Sequence, residues 1–183
     1  MKSLIYGYGI TGQSFERYLK NLDTDYDIFD NNIPQYNRLD NLENYDTIYC
    51  SPGIPKKIFQ KLRSSNNVLT DLDIFLERDE SIKICITGTN RKSTTCFHLS
   101  QILSKIDSVN LIGNIGEPML DHMNNGSTYS IIEVSSYQLD KMSENYINYG
   151  VLLNIAEDHL DYHGNFEDYK LSLIHISEPT RRR

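Results

Sequence analysis

The fold is decided by the stretch Ile82-Lys83-Ile84-Cys85-Ile86-Thr87-Gly88-Thr89-Asn90-Arg91-Lys92-Ser93-Thr94. Its first six residues form a mostly apolar run that predicts a strand, and apolar residues at helical spacing over 93–106 predict a helix. The apolar face of that helix would carry Leu99, Ile102, Leu103 and Ile106. A strand that passes into a helix through a glycine-bearing loop is the setting in which a P-loop holds phosphate with backbone N–H groups.

In a loop of this kind, Lys92 would neutralise phosphate charge and the Ser93 hydroxyl would reach Mg²⁺. The expected phosphate-binding residues are Gly88, Thr89, Asn90, Lys92, Ser93 and Thr94. The P-loop pattern has glycine where this chain has Arg91, and a positive φ at a non-glycine residue would cost about 1–2 kcal/mol. The alternative is a plain polar loop in which a serine or threonine caps the helix.

The same arrangement occurs at the N-terminus. Residues 3–6 predict a strand, residues 13–22 predict an amphipathic helix, and Gly7-Tyr8-Gly9-Ile10-Thr11-Gly12 lies between them. Asp30 ends a second strand, eighteen residues after Gly12. A dinucleotide-binding fold places a carboxylate near this spacing to bind a ribose hydroxyl. The alternative is an ordinary strand-to-helix turn that glycine closes.

Strands alternating with helices predict an α/β fold with parallel sheets. A third strand over residues 47–50 ends in Ser51-Pro52-Gly53, and further strands are predicted over 109–112, 129–134 and 150–155. The charged run at residues 77–80 indicates a boundary. We therefore expect a Rossmann-like parallel-sheet domain over residues 1–80, followed over residues 81–170 by the start of a P-loop ATPase-type α/β domain.

A carboxylate and a histidine follow two predicted strands. Glu133 lies near the end of an apolar run, and His159 follows the strand predicted over 150–155. Ligands gather at the carboxyl ends of parallel strands, so one oxygen and one nitrogen donor beside a phosphate loop predict a Mg²⁺ shell formed with Ser93. The alternative is that both side chains are structural.

Composition excludes several classes of protein. The 183 residues carry a formal net charge of -7, which argues against a nucleic-acid partner. Cys50, Cys85 and Cys96 form neither a disulfide pattern nor a zinc site, so we expect a reducing cytoplasm. With no signal-peptide pattern and no run of 18 apolar residues, membrane insertion is not expected.

The chain resembles the Mur ligases of peptidoglycan synthesis over most of residues 1–170. The glycine loop at 7–12 and the phosphate loop at 87–94 carry part of this resemblance. Its other carriers are Ser51-Pro52-Gly53-Ile54, Gly113-Asn114-Ile115-Gly116, Glu133-Val134-Ser135-Ser136-Tyr137-Gln138-Leu139 and Asn154-Ile155-Ala156-Glu157-Asp158-His159-Leu160-Asp161. The Ser-Ser-Tyr-Gln-Leu run points to the member of the family that adds D-glutamate.

The resemblance implies that ATP phosphorylates the alanyl carboxylate of UDP-N-acetylmuramoyl-L-alanine, and that the amine of D-glutamate attacks the acyl phosphate. It implies catalytic roles for Lys92 at the transferring phosphate, for Glu133 with Ser93 at one Mg²⁺, and for His159 at a second metal. Asn114 and Gln138 would face the alanyl and lactoyl end of the substrate. The UDP part would lie against Gly9, Ile10, Thr11, Gly12, Asp30, Asn31, Ser51, Pro52 and Gly53.

Two departures from the family accompany this resemblance. The first is Arg91; the second is that residues 171–173 read Leu-Ser-Leu where the family's carbamylated lysine is expected. Residues 171–183 resemble translated sequencing-adapter read-through, so we expect a non-native tail on a truncated, inactive and monomeric fragment of the ligase. Its unpaired sheet edge should favour aggregation. The alternatives are a non-catalytic nucleotide-sugar-binding module and an NAD-dependent oxidoreductase, which would leave the phosphate loop unexplained.

Overall fold

A computed structural model describes residues 2–177 and contains two four-stranded parallel sheets. The first sheet has the order β2-β1-β3-β4, with β1 at Lys2–Tyr6, β2 at Asp25–Phe29, β3 at Thr47–Cys50 and β4 at Val68–Leu69. The second has the order β6-β7-β5-β8, with β5 at Ile82–Thr87, β6 at Val109–Gly113, β7 at Tyr129–Glu133 and β8 at Tyr149–Leu152. The predicted α/β class with parallel sheets is therefore confirmed.

Seven α-helices are present among residues 2–177: α1 Ile10–Asn21, α2 Lys56–Arg63, α3 Asp71–Arg78, α4 Lys92–Leu103, α5 Ser136–Lys141, α6 Leu160–His163 and α7 Phe166–Ile174. Short 3-10 turns lie at Pro34–Tyr36, Leu42–Asn44, Met119–His122 and His175–Ser177. None of the helices in this part of the chain combines the length and the apolar character that a membrane crossing would need.

Helix boundaries differ from the predictions where local chemistry decides them. Helix α1 begins at Ile10, three residues earlier than predicted, because the glycine loop already has helical geometry after Gly9. Helix α3 begins at Asp71, since Thr70 caps it in a capping box with Asp73.

One apolar core joins the two sheets. Ile5 and Phe15 from the first sheet unit belong to the same buried cluster as Ile132 and Leu139 from the second. The chain changes from one sheet to the other between Arg78 and Ile82. The predicted domain limits of 1–80 and 81–170 stay predictions, because this shared core is continuous across that change.

Helix α4 was predicted correctly as a helix, but only part of its apolar face is packed. Ile102 is 58% exposed and Ile106, which lies just beyond the helix, is 72% exposed. Leu99 and Leu103 of the same face are partly buried against the second sheet, so this layer covers one side of the face and leaves Ile102 and Ile106 exposed. Strand β8 pairs only with β5 among these residues, and Tyr149 at its start is 63% exposed.

Part of the segment predicted to be a non-native tail is packed. Leu173 in α7 and Ile176 in the following turn are buried in the shared core. Residues 178–183 lie outside the described residues. Residues 171–173 stand where the resemblance leads one to expect the carbamylated lysine, and Lys170, just before them, forms an ion pair of 2.5 Å with Glu167. The non-native origin of residues 171–183 stays a prediction.

Candidate functional site

The phosphate loop follows β5 and opens α4, as the sequence predicts. Gly88 has φ +147°, and a Cβ atom there would lie 3.1 Å from the carbonyl oxygen of Asn154. The loop therefore packs directly on the segment after β8, and glycine permits this approach. At its other end, the first N–H groups of α4 include those of Ser93 and Thr94, which have no partner within the helix and can bind an anion.

Asn154 holds the loop in place, a role that the sequence analysis did not assign. Its side-chain Oδ1 accepts from Asn90 N at 2.8 Å, and its Nδ2 donates to Asn90 O at 2.9 Å. The Thr89 hydroxyl accepts from Ala156 N at 2.9 Å and lies 2.9 Å from the Tyr169 hydroxyl. The side chain of Thr89 and the backbone of Asn90 thus contribute to the loop's own structure.

Lys92 lies over the loop that it was predicted to serve. Its Nζ donates to Gly88 O at 2.8 Å and to Thr89 O at 3.2 Å, and the residue is half-buried. The ammonium group is therefore held above the backbone that would cradle phosphate. A bound phosphate would offer it charge-assisted hydrogen bonds, which are stronger than these bonds to neutral carbonyls.

Arg91 has the strained backbone that the sequence analysis anticipated. It caps α4 with φ 66° and ψ 17°, in the left-handed region. Replacing Arg91 by glycine should relieve this strain. The expected net gain is about 0.5–1 kcal/mol in the free energy of unfolding, because glycine also makes the unfolded chain more disordered. Urea unfolding followed by circular dichroism measures it.

Asp23 provides the control for this substitution. It also has a positive φ, of 50°, but aspartate tolerates the left-handed region better than arginine does. Asp23→Gly should therefore stabilise less than Arg91→Gly. A rise in the urea midpoint for Asp23→Gly as large as that for Arg91→Gly would contradict the strain argument. Arg91→Gly should also tighten binding of an ATP analogue, and unchanged affinity would show that the arginine is tolerated there.

Glu133 lies beside the phosphate loop because of strand register. It ends β7 and is aligned with Ile86, one residue before the end of β5. The side chain is only 2% exposed. Its Oε1 accepts from Asn114 Nδ2 at 2.9 Å, whereas its Oε2 is buried with no hydrogen-bond partner in the described structure. A buried carboxylate oxygen without a partner is costly unless a cation or a ligand satisfies it.

His159 lies on the loop after β8, on the other side of β5. Its φ is 51° and its Nδ1 is 3.5 Å from Asp158 Oδ1. The ring centroid is 5.0 Å from that of Tyr137. In residues 2–177, no three His, Cys, Asp or Glu side chains are grouped so that they could hold a metal ion by themselves.

A cavity of about 530 Å³ lies between the two sheet units. Six predicted substrate residues line it: Ile10, Thr11, Pro52, Gly53, Asn114 and Gln138. Gln138 is fixed by a capping box, in which its Oε1 accepts from Ser135 N at 3.0 Å. Two aromatic residues of the wall, Tyr137 and Tyr162, were not assigned from sequence, and Tyr162 has no local sequence pattern that would have indicated it.

The other predicted substrate residues shape the loops around the cavity. Asp30 accepts from Tyr8 N at 2.7 Å and from Asn32 N at 2.8 Å, so backbone groups occupy both carboxylate oxygens. The Ser51 hydroxyl donates to Gly7 O at 2.7 Å. Gly12 packs against the same loop, because a Cβ there would lie 2.2 Å from Gly7 O.

Two further predicted substrate residues, Gly9 and Asn31, are exposed beside these loops. A Cβ on Gly9 would meet no atom within 4 Å. Packing therefore gives no reason for glycine at this position. The space beside it is open to a ligand.

Asp71 is a buried acidic residue in the cavity wall that sequence reasoning missed. Burial raises the pKa of its carboxyl to about 6. Its Oδ1 has no hydrogen-bond partner in the described structure.

The three cysteines are buried and free, and burial raises the pKa of the Cys50 thiol to about 12.

A family model for the Mur ligase middle domain matches residues 86–181, a range that begins at the end of β5. The match covers more than half of the 183 residues. The chain therefore belongs to the Mur ligase family.

Curated relatives extend the similarity to both sheets. A UDP-N-acetylmuramoylalanine–D-glutamate ligase of Francisella philomiragia is 35% identical over 185 aligned positions, covering 97% of this chain and 44% of the relative. The ligase of the same name from Francisella tularensis subsp. novicida is 36% identical over the same shares. The chain thus spans less than half the length of these relatives.

The chain also matches two solved structures. A pseudomurein peptide ligase type C from Methanothermus fervidus has 21% identity and a TM-score of 0.43, covering 99% of this chain and 43% of that one. A MurF ligase from Thermotoga maritima in complex with ADP has 19% identity and a TM-score of 0.49, covering 98% and 40%.

Proposed function

We propose that this chain supplies the nucleotide-substrate and phosphate-loop parts of an ATP-dependent ligase that adds D-glutamate to UDP-N-acetylmuramoyl-L-alanine. One observation carries the proposal: Asn114 lines the cavity and also donates to Glu133, which lies beside the phosphate loop. A substrate carboxylate at Asn114 would be close to a phosphate held by Lys92. The names of the curated relatives support the same substrates.

The proposed reaction has two bond exchanges. A carboxylate oxygen of the alanyl group attacks the terminal phosphorus of ATP, and the bond to ADP breaks. The amine of D-glutamate then attacks the acyl carbon, loses a proton and displaces phosphate to leave an amide. Lys92 and the first N–H groups of α4 would stabilise the charge on the phosphoryl group during transfer.

The residues present fit one Mg²⁺ ion. Mg²⁺ in nucleotide sites is usually bound by one or two protein oxygens together with phosphate oxygens and water, so a complete protein cage is not required. Glu133 offers the unpartnered buried Oε2, and Ser93 offers an exposed hydroxyl at the start of α4. Bound Mg²⁺ would neutralise phosphate charge. His159 offers one ring nitrogen for a second metal.

The UDP part would enter the cavity from the side of Ile10, Thr11, Pro52 and Gly53. An NAD-dependent oxidoreductase would leave the phosphate loop after β5 unexplained, which counts against that alternative. The free, buried cysteines fit the cytoplasmic location that we propose for such a ligase.

A second candidate function is a nucleotide-sugar-binding module without catalysis. The strained Arg91 at the mouth of the phosphate loop favours it, because the side chain adds bulk where the P-loop pattern has none. The cavity would still bind the UDP substrate. The two candidates therefore differ only in ATP binding and phosphate release.

Calorimetric titration of the 183-residue chain with UDP-N-acetylmuramoyl-L-alanine and with a non-hydrolysable ATP analogue plus Mg²⁺ tests the proposal. We expect both to bind. Lys92→Met should weaken the ATP analogue by about 2 kcal/mol, or roughly 30-fold, because it removes charge-assisted bonds to phosphate. Its affinity for the UDP substrate should not change.

The matched control is Lys105→Met, which removes an exposed lysine beyond the end of α4. It should leave both affinities unchanged. If the wild-type chain binds the UDP substrate but not the ATP analogue, the binding-module function is correct and the ligase proposal fails. Equal ATP-analogue affinity for the wild type and Lys92→Met would contradict the role given to the phosphate loop.

A further inference from the structure

Lys141 is a fully buried lysine that joins the two sheet units. It ends α5 and has 0% of its surface exposed. Its Nζ donates to two backbone carbonyls of the loop after β3, those of Pro52 and Ile54, the latter at 2.6 Å. The contact therefore runs from a helix of the second unit to a loop of the first.

The preceding residue, Asp140, contacts the same region through a side chain of opposite charge. Asp140 Oδ1 accepts from Lys56 Nζ at 2.7 Å, and Lys56 begins α2 directly after the loop. Two consecutive residues of α5 thus hold residues 52–56 with charges of opposite sign. We call this pair of contacts the α5 clip: Lys141 with Pro52 and Ile54, and Asp140 with Lys56.

The α5 clip connects two walls of the cavity. Pro52 and Gly53 line one wall, and Tyr137 and Gln138, in the first turn of α5, line the other. A short helix transmits a fixed geometry between its ends. The position of the loop relative to Gln138 therefore depends on what Lys141 binds.

A buried lysine costs free energy of folding, so the stability of the loop alone does not explain why a lysine stands at position 141. Burial lowers the pKa of its ammonium group, because the charged form loses hydration. The group lies 5.6 Å from the Phe59 ring centroid and 5.9 Å from that of Tyr162, and the nearby carboxyl groups of Asp140 and Asp71 only partly offset its desolvation. Apolar side chains of similar volume often replace buried charges without loss of stability. A directional ammonium, by contrast, specifies where two carbonyls lie.

We propose that Lys141 is a positioning residue that sets the affinity for the uridine-nucleotide substrate by fixing the Pro52-Gly53-Ile54 loop. It does so without touching the substrate, since none of its surface is exposed. The part of this inference that concerns affinity rests on the proposed function. The part that concerns the loop does not.

The test compares Lys141→Met with the wild-type chain in two measurements. Hydrogen exchange at the amides of Gly53, Ile54 and Lys56 should be about tenfold faster in the variant, because the loop loses its anchor. The dissociation constant for UDP-N-acetylmuramoyl-L-alanine should rise about tenfold, while that for the ATP analogue should not change. Lys141→Arg keeps donors at this position and should restore part of the affinity.

Two more variants complete the test. Lys57→Met removes an exposed lysine of α2 and should behave as the wild type. Lys56→Met removes the more accessible half of the clip and should give the same pattern in smaller measure, even if Lys141→Met fails to fold. Unchanged substrate affinity despite faster loop exchange, or an equal loss of affinity for both ligands, would overturn the proposal.

A wild-type chain that does not bind the UDP substrate would defeat the proposed function. The exchange measurement would still decide the role of the clip. Unchanged exchange at residues 53–56 in both Lys141→Met and Lys56→Met would show that the clip does not hold the loop.

Discussion

Gly113→Ala should destabilise the protein by more than about 3 kcal/mol, the largest loss of stability expected from any single methyl group in this chain. Gly113 ends β6 with φ +109°, a conformation that alanine rarely adopts. The new Cβ would also lie 2.3 Å from the carbonyl oxygen of Glu133. The new Cβ would be fixed to the backbone of β6, and the carbonyl oxygen belongs to the backbone of β7. Neither strand can move away from the other without disturbing the sheet.

Gly126→Ala is the matched control for this prediction. Gly126 has a similar φ, +87°, but a Cβ there would meet no atom within 4 Å. It should cost only the backbone strain, about 1–2 kcal/mol. Urea unfolding of both variants, followed by far-ultraviolet circular dichroism, separates strain from collision. Equal midpoints for the two variants would show that the close approach of β6 and β7 is not rigid.

Glu133→Gln should abolish most of the Mg²⁺-dependent affinity for an ATP analogue while leaving the fold intact. The amide keeps an oxygen that can accept from Asn114, but it removes the charge and replaces the free carboxylate oxygen by a donor. We expect the Mg²⁺-dependent gain in affinity to fall by about 100-fold or more, since even outer-shell changes at metal sites cost 10- to 100-fold.

The stability of Glu133→Gln provides the second readout. Removing a buried charge offsets the unsatisfied amide donor, so the free energy of unfolding should change by less than about 1 kcal/mol. Glu117→Gln is the control, because Glu117 is an exposed carboxylate paired with His122 at 2.7 Å. It should not affect the Mg²⁺ dependence. If Glu133→Gln binds the analogue with the same Mg²⁺ dependence as the wild type, Glu133 is not a metal ligand.

The sequence was sufficient to predict seven of the eight parallel strands of residues 2–177 but not the two-residue strand β4 at Val68–Leu69. Strands such as 47–50 and 82–87 are short, apolar and bounded by glycine or proline, so local composition alone identifies them. It also predicted the strain at Arg91, because a loop of this type needs a residue with positive φ at a known position. Both are local properties of the chain.

The contacts between the two sheet units were not predictable in the same way. Lys141 meets the carbonyls of Pro52 and Ile54, and Tyr162 lines the cavity, only because the sheets pack together. No periodicity or spacing in the sequence distinguishes them from surface residues. The helical pattern of α4 likewise does not show which of its apolar residues a neighbouring layer will cover: Leu103 packs on the second sheet, whereas Ile102 is exposed. Site residues on loop ends were predicted, whereas those that join the two units were missed.

The three buried thiols can report local unfolding of this chain, because a thiol reagent reaches each of them only after the surrounding structure has opened. Cys50 belongs to the first sheet, Cys85 to the second and Cys96 to the helix that opens at the phosphate loop, and solvent reaches none of them in the folded state. A maleimide can modify each only when its part of the molecule opens. Mass spectrometry of the labelled peptides would therefore give the labelling rate of each cysteine and show which sheet unit opens more readily.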